Sequence, residues 1–247
     1  MNIKSDRIEN TDFKPCILKF AQREYLESLK NGYVYFKEIQ YFRNIETEGQ
    51  ADSREGKIRI RSLNNITVNS DEVTALLSKL PVPEINISNR FMAKTPIFSS
   101  VLLDETIIEN IDDCEVILKQ SFINEMKKWN ATIMLIDLEE FLYKIKKRCN
   151  QLGIFSVASK VIYNQEKDIF DGEEIRRELS NNYFRQIFCK HSKYADQNEY
   201  RITVLNERND LIPPHRDCFV LKIEPLENCS ILDLPTIEEL GVRVFRG

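Results

Sequence analysis

The sequence predicts an α+β fold, with a mixed, mainly antiparallel β-sheet core flanked by helices. Three observations predict it. Runs of β-branched and aromatic residues alternate with helix-period segments in no regular order, unlike the repeated strand-helix units of a parallel α/β sheet. The last third is rich in strand patterns, at 199–205, 218–224 and 230–232. A length of 247 residues with 42% hydrophobic content suffices for one sizeable core. The expected organisation is therefore one domain over 1–247, with an exposed loop near 46–56 and a helical insertion near 115–150.

Taken in order, 17–20 reads as a first strand after Pro15, and 22–31 as a helix with Tyr25, Leu26 and Leu29 on its apolar side, stopped by Gly32. Tyr33-Val34-Tyr35-Phe36 is a strand by its aromatic and β-branched content, and 38–43 reads as one or two helical turns. Residues 58–63 and 66–68 alternate as a hairpin would, turned by Asn64-Asn65, and a connection containing prolines follows. The 94–101 segment is a strand entered through Pro96, because a proline is excluded from the interior of a ladder. Val116, Leu118, Phe122, Ile123 and Met126 predict a helix over 115–129, and 131–136 is a buried strand. Asp137 with Glu140 fits an N-cap and capping-box partner opening a helix through Leu138, Phe141, Leu142, Ile145 and Cys149. A strand at 154–163, an acidic loop and a helix from 173 to about 188 complete the middle.

Composition narrows the function classes. No stretch approaches the roughly 20 apolar residues of a membrane span, and no apolar run follows the N-terminal charges, so secretion and membrane insertion are not expected. Six dispersed cysteines without a Cys-x-x-Cys pair, beside two histidines, predict reduced thiols, a cytoplasmic setting and no metal centre. A formal charge of −4 argues against a general nucleic-acid coat but permits a local basic groove, for which Lys127-Lys128 and 144–148 are candidates. Asp52, Glu55, Asp171, Glu173 and Glu174 supply carboxylates for a nuclease, but no spacing groups them. Cys189-Lys190-His191 offers a thiol near an imidazole, although sequence neighbours do not face one another on a strand or a helix. Dinucleotide, P-loop, zinc-protease and serine-hydrolase motifs are absent.

Four constellations carry chemistry. Gln197 and Glu199, two residues apart on a predicted strand over 197–204, share a face, where a carboxylate stabilises positive charge at a sugar carbon. The alternative is a surface ion pair of Glu199 with Arg201 at a sheet edge. Lys19, a cation between apolar residues, suits a phosphate or else a solvated strand face. Ser99 and Ser100 present paired hydroxyls for a ribose or an amide. Tyr33, Tyr35, Phe36, Tyr41 and Phe42 form either a stacking wall or ordinary core, and Tyr33 and Tyr35 share one strand face.

Lys19-Phe20, the helix after it, Gly32-Tyr33-Val34-Tyr35-Phe36, Tyr41-Phe42-Arg43-Asn44 and the acidic loop to Gly56 resemble the opening of an uncharacterised bacterial domain family of phage-defence and prophage neighbourhoods. Lys193-Tyr194 ahead of Gln197-Asn198-Glu199-Tyr200-Arg201 is similar to that family's later signature, with Gln197 in place of a glutamate. The order of a cation strand, a tyrosine strand, a serine strand and a Gln-x-Glu strand loosely resembles the ADP-ribosyltransferase superfamily. That resemblance implies a split sheet binding NAD as substrate. Lys19 would stand at the basic position, where the superfamily has Arg or His, and Ser99 and Ser100 at the hydroxyl position. Tyr33 or Tyr35 would line the nicotinamide pocket, and Gln197 and Glu199 would be the catalytic pair. It further implies a toxin or anti-phage effector, an antitoxin or phage protein as partner, and protein or nucleic acid as acceptor. The rival expectation is a non-catalytic sensor or interaction module that binds a phage product, nucleotide or nucleic acid in the same cleft.

Overall fold

The computed structural model describes residues 14–44, 58–61, 84–87, 93–112, 115–129, 131–164, 187–208, 210–232, 237 and 242–243. The chain begins with β1 (Cys16–Ala21), α1 (Arg23–Lys30), β2 (Tyr33–Glu38) and α2 (Ile39–Asn44), then β3 (Ile58–Arg61) and β4 (Glu84–Ile87). Next come β5 (Pro96–Leu102), β6 (Ile108–Asp112), β7 (Glu115–Leu118), α3 (Gln120–Trp129), β8 (Thr132–Asp137) and α4 (Leu138–Leu152). They are followed by β9 (Phe155–Lys160), β10 (Ile162–Asn164), β11 (Cys189–His191), a 3-10 helix (Ser192–Gln197) and β12 (Glu199–Leu205). The last strands are β13 (Cys218–Lys222), β14 (Cys229–Leu232) and β15 (Val242–Arg243).

Eight strands form the main sheet, in the order β13-β2-β5-β1-β8-β14, with β12 joining β5 to β9. All its ladders are antiparallel, whereas β10 and β11 pair in parallel. The fold is α+β, as the irregular alternation of patterns predicts. Pro96 stands at the first position of β5, where its missing N–H removes nothing from the strand's interior.

The sheet forks at β5. One edge of β5 pairs continuously with β12, from Ile97↔Thr203 to Val101↔Glu199. On the other edge β2 pairs at Pro96 and Ile97, and β1 at Val101 and Leu102. Since a strand has two edges, β1 and β2 share this one and part company beside Phe98-Ser99-Ser100. Helix α1 joins the two arms, and its buried side, Leu26 and Leu29, belongs to the cluster of Ile17, Val34, Phe36, Phe98, Ile202 and Val204. Phe141, Ile145 and Cys149 of α4 complete this layer. Leu18, Val101, Ile133 and Leu135 form another cluster with Phe122, Ile123 and Met126 of α3.

Several local expectations change. Residues 115–118 are a strand, not the start of a helix: Val116 and Leu118 are buried in alternation while β7 pairs with β6 and β15, and α3 starts only at Gln120. The segment expected as a helical insertion near 115–150 thus contains β7 and also β8, which lies between β1 and β14 in the main sheet. The described partner of β3 is β4. The 66–68 strand, the 46–56 loop, nearly all of the 173–188 helix and the five nuclease-candidate carboxylates lie outside the described residues. Asp137 does cap α4, accepting from Glu140 N at 2.9 Å. Glu140 does not return the bond, because its carboxylate takes the backbone N–H groups of Glu227 and Asn228 at 2.8 Å each. Among the described residues no helix is long and apolar enough to cross a membrane.

Candidate functional site

A single residue in an unusual backbone conformation sets the geometry. Asn198 has φ +43°, and asparagine tolerates this left-handed region better than most side chains. Its side-chain amide donates to Leu102 O at 2.7 Å and to Asp104 Oδ1 at 2.9 Å, which holds the turn closed. The chain here leaves the 3-10 helix and enters β12, so Gln197 is not on the strand as expected, and strand alternation cannot be what places it near Glu199. Lys190 of β11 unites them instead: Nζ donates to Gln197 Oε1 at 2.8 Å and lies 3.2 Å from Glu199 Oε2. The parallel pairing of β10 with β11 aligns Lys190 with Tyr163, whose hydroxyl accepts the Glu199 backbone N–H at 2.8 Å.

Glu199 is buried at 6% exposure and its carboxylate is fully engaged. Oε1 accepts from Ser99 Oγ at 2.6 Å and Arg201 Nε at 2.6 Å, while Oε2 accepts from Arg201 Nη2 at 3.0 Å and Lys190. Arg201 is 1% exposed, and its remaining nitrogen donates to Ile187 O at 2.5 Å. The Glu199–Arg201 pair therefore exists, but not as a surface bridge at a sheet edge, because β12 lies between β5 and β9. Burial alone would raise the Glu199 carboxyl. Arg201 and Lys190, with the hydrogen bonds from Arg201 and Ser99, outweigh it and hold the group far below the usual carboxylate range.

Lys19 occupies the fork. Its ammonium donates to Ser99 O at 2.5 Å and lies 4.5 Å from the centre of the Phe98 ring. Burial pushes it down to about 8 from 10.5, against the pull of Glu199. Lys19 is half-buried and lines the cleft at the fork.

Lys19, Ser99, Ser100, Gln197 and Glu199 all line one pocket of about 170 Å³. Ser99 and Ser100 do not act as paired hydroxyls. They point to opposite faces, and Ser100 Oγ donates to Tyr200 O at 3.1 Å. Tyr33 and Tyr35 are not among the lining residues. Because β2 leaves β5 after Lys37↔Ile97, Tyr35 does not reach the position beside Ser99 that a continued ladder would give it. It packs edge-on against Tyr25 instead.

The sequence reading missed Lys190 and two aromatic walls, and placed Phe42 only within a broad aromatic group. Phe20 and Trp129 meet edge to face at 4.5 Å, and the Trp129 indole N–H is buried without a hydrogen-bond partner. The chain's one tryptophan, at the end of an amphipathic helix, was an available signal for the wall. Lys190 had none, since its position depends on a strand pairing between distant segments. Comparison with protein-family models, with curated proteins and with solved structures finds no match to this chain.

Proposed function

We propose that this chain binds a nucleotide in the pocket at the fork. The supporting observation is the composition of the lining among the described residues: Lys19 and Lys190 stand beside the Glu199–Arg201 pair, and the rings of Phe20, Phe42 and Trp129 line the same pocket. Such a site favours a ligand joining negative charge to a planar ring, with phosphate drawn to the lysines and a base against the aromatic walls. Its volume is below the roughly 300–1,000 Å³ of drug-sized sites, so one end of a dinucleotide would enter and the rest extend outside.

A second reading, cleavage of the nicotinamide–ribose bond of NAD with transfer of ADP-ribose, is favoured by the Ser99–Glu199 hydrogen bond at the fork of a split sheet. In that step the C–N bond breaks, its electron pair leaves with nicotinamide, and the ribose carbon bonds to an acceptor oxygen or nitrogen that gives up its proton to water. Glu199 stays ionised at neutral pH and supports positive charge developing at that carbon. Arg201 and Lys190 oppose this as they stand. A ligand phosphate that draws Lys190 away would free one acceptor position of Oε2 for the ribose while Arg201 keeps the other.

Thermal unfolding with AMP, ADP, ADP-ribose and NAD tests both readings. Saturation at about a hundredfold excess over Kd corresponds to roughly 2.7 kcal/mol of stabilisation and a clear rise in Tm. The rise should shrink in Lys19→Gln. If none of these compounds shifts Tm at millimolar concentration, nucleotide binding is overturned. Nicotinamide release from NAD, lost in Ser99→Ala, would establish cleavage, and binding without release leaves a sensor or interaction module.

A further inference from the structure

Tyr33 and Tyr35, which the pocket does not use, share one face of β2 with Lys37, and across the ladder they stand opposite Lys222 and Val220 of β13. Tyr33 is 43% exposed, Tyr35 38% and Val220 39%, and Tyr25 of α1, at 51%, extends the patch through its contact with Tyr35. A scatter of single exposed apolar residues needs no explanation, but three tyrosines and a valine side by side do.

Cations border these rings. The Lys222 ammonium lies 3.7 Å from the centre of the Tyr33 ring and donates to Asn31 O. Lys222 also lines a groove of about 260 Å³ with Lys144, Lys147 and Arg148 of α4, where Glu224 is the one acidic lining residue among the described residues. Glu224 is bonded to Lys147 at 2.8 Å, and Lys144 is committed to Glu140 at 2.6 Å. Arg148 donates from Nη1 to Gln151 at 3.0 Å, while its Nε is buried without a hydrogen-bond partner. Tyr143, 64% exposed, stands one helical turn before Lys147.

We infer that the tyrosine face of β2 and the adjoining edge of β13 are a docking surface for single-stranded nucleic acid, with bases stacked on Tyr33 and Tyr35 and the backbone turning around that edge to place phosphates at Lys222, Lys147 and Arg148. Exposed rings interleaved with cations are how sequence-tolerant single-strand sites are built, and the Tyr33–Lys222 contact joins the two features on adjacent strands. An apolar protein partner fits less well, because the tyrosines are bordered by charge rather than by further apolar surface. The overall charge of −4 does not oppose this, since distant charges are screened beyond about 10 Å at moderate salt. The inference does not depend on the nucleotide pocket, whose lining includes none of these residues.

Fluorescence anisotropy with labelled oligo-dT and oligo-rU of about ten nucleotides tests it on the full chain. Binding should weaken roughly tenfold or more in Tyr33→Ala/Tyr35→Ala, with Tyr35→Phe binding as the unchanged protein does. Three phosphate contacts predict about a twentyfold loss in affinity between roughly 50 and 200 mM salt, and Lys147→Gln/Lys222→Gln should flatten that dependence. Circular dichroism and thermal unfolding check that the variants are folded. The inference is overturned if neither oligomer binds at low salt or if the double tyrosine variant binds as tightly as the original. Preference for phosphatidylglycerol vesicles over either oligomer overturns it as well, by identifying a membrane surface instead.

Discussion

Glu199 shows how little the charge of a side chain says about its work until its neighbours are known. In sequence it is a carboxylate two residues from an arginine. In the fold it is the carboxylate that ion-pairs with both Arg201 and Lys190, whose side chains have little access to water. Glu199→Gln should therefore destabilise the protein by about 3–5 kcal/mol in urea unfolding, because two buried cations lose their counter-charge. Glu199→Met/Arg201→Met should cost much less than the sum of the two single substitutions, since the desolvation of both charges disappears along with their attraction. Additive costs across that cycle would mean that the two groups act independently. Part of this site was legible beforehand. Lys19, Ser99, Gln197 and Glu199 stood out as polar groups amid apolar strands, and the fold brings them to one pocket. Tyr33 and Tyr35 stood out equally and went elsewhere, because strand patterning shows which residues share a face but not where two strands diverge.

Elements that carry their own punctuation were the easiest to read. Helix α4 has an N-cap aspartate, a continuous apolar stripe and a terminal glycine at φ +65°, so its local signals agree with its tertiary role. Strand β7 has four residues, too few to separate a period of 2 from one of 3.6, and the helix that follows absorbs its apolar positions into its own pattern. Gly32, read as a helix stop, does more than stop α1. It has φ +86°, and a Cβ there would sit 2.3 Å from Ile223 O on the segment after β13. That carbonyl is backbone and cannot swing aside, and Gly32 O in turn accepts the Ile223 N–H at 2.8 Å. Gly32→Ala should thus lower stability by about 1–3 kcal/mol or more, from strain and overpacking together, with a matching fall in Tm. A Tm unchanged by this substitution would show that α1 and the β13 segment are not held at this spacing.

For the molecule as a whole, the identity of the elements was more legible than their order in space. Nothing in a linear pattern reveals that β1 and β2, neighbours in the chain, meet the same edge of β5 on either side of Phe98, Ser99 and Ser100, or that β8 separates β1 from β14. Those facts depend on long-range packing. Global stability inherits the electrostatics of the buried cluster. Glu199 titrates in the folded state well below its ordinary 4.5, so the stability it confers is complete above that value and is lost progressively as pH falls below it. Lys19 acts at the other end. Its folded value of about 8 lies below the ordinary 10.5, so the unfolded chain binds the proton more tightly, and stability should rise with pH between those values. Urea midpoints across this range should show both slopes, and Lys19→Met should abolish the alkaline one.

Main-chain hydrogen bonds are usually indifferent to which side chains surround them, and this makes a sheet tolerant of change over generations. At the fork that indifference ends. The carbonyl of Ser99 is bonded by the Lys19 ammonium, a group contributed from 80 positions away in the sequence. A single codon thus controls a backbone bond in a distant strand, and replacing Lys19 alters the bonding of the sheet as well as the charge of the cleft.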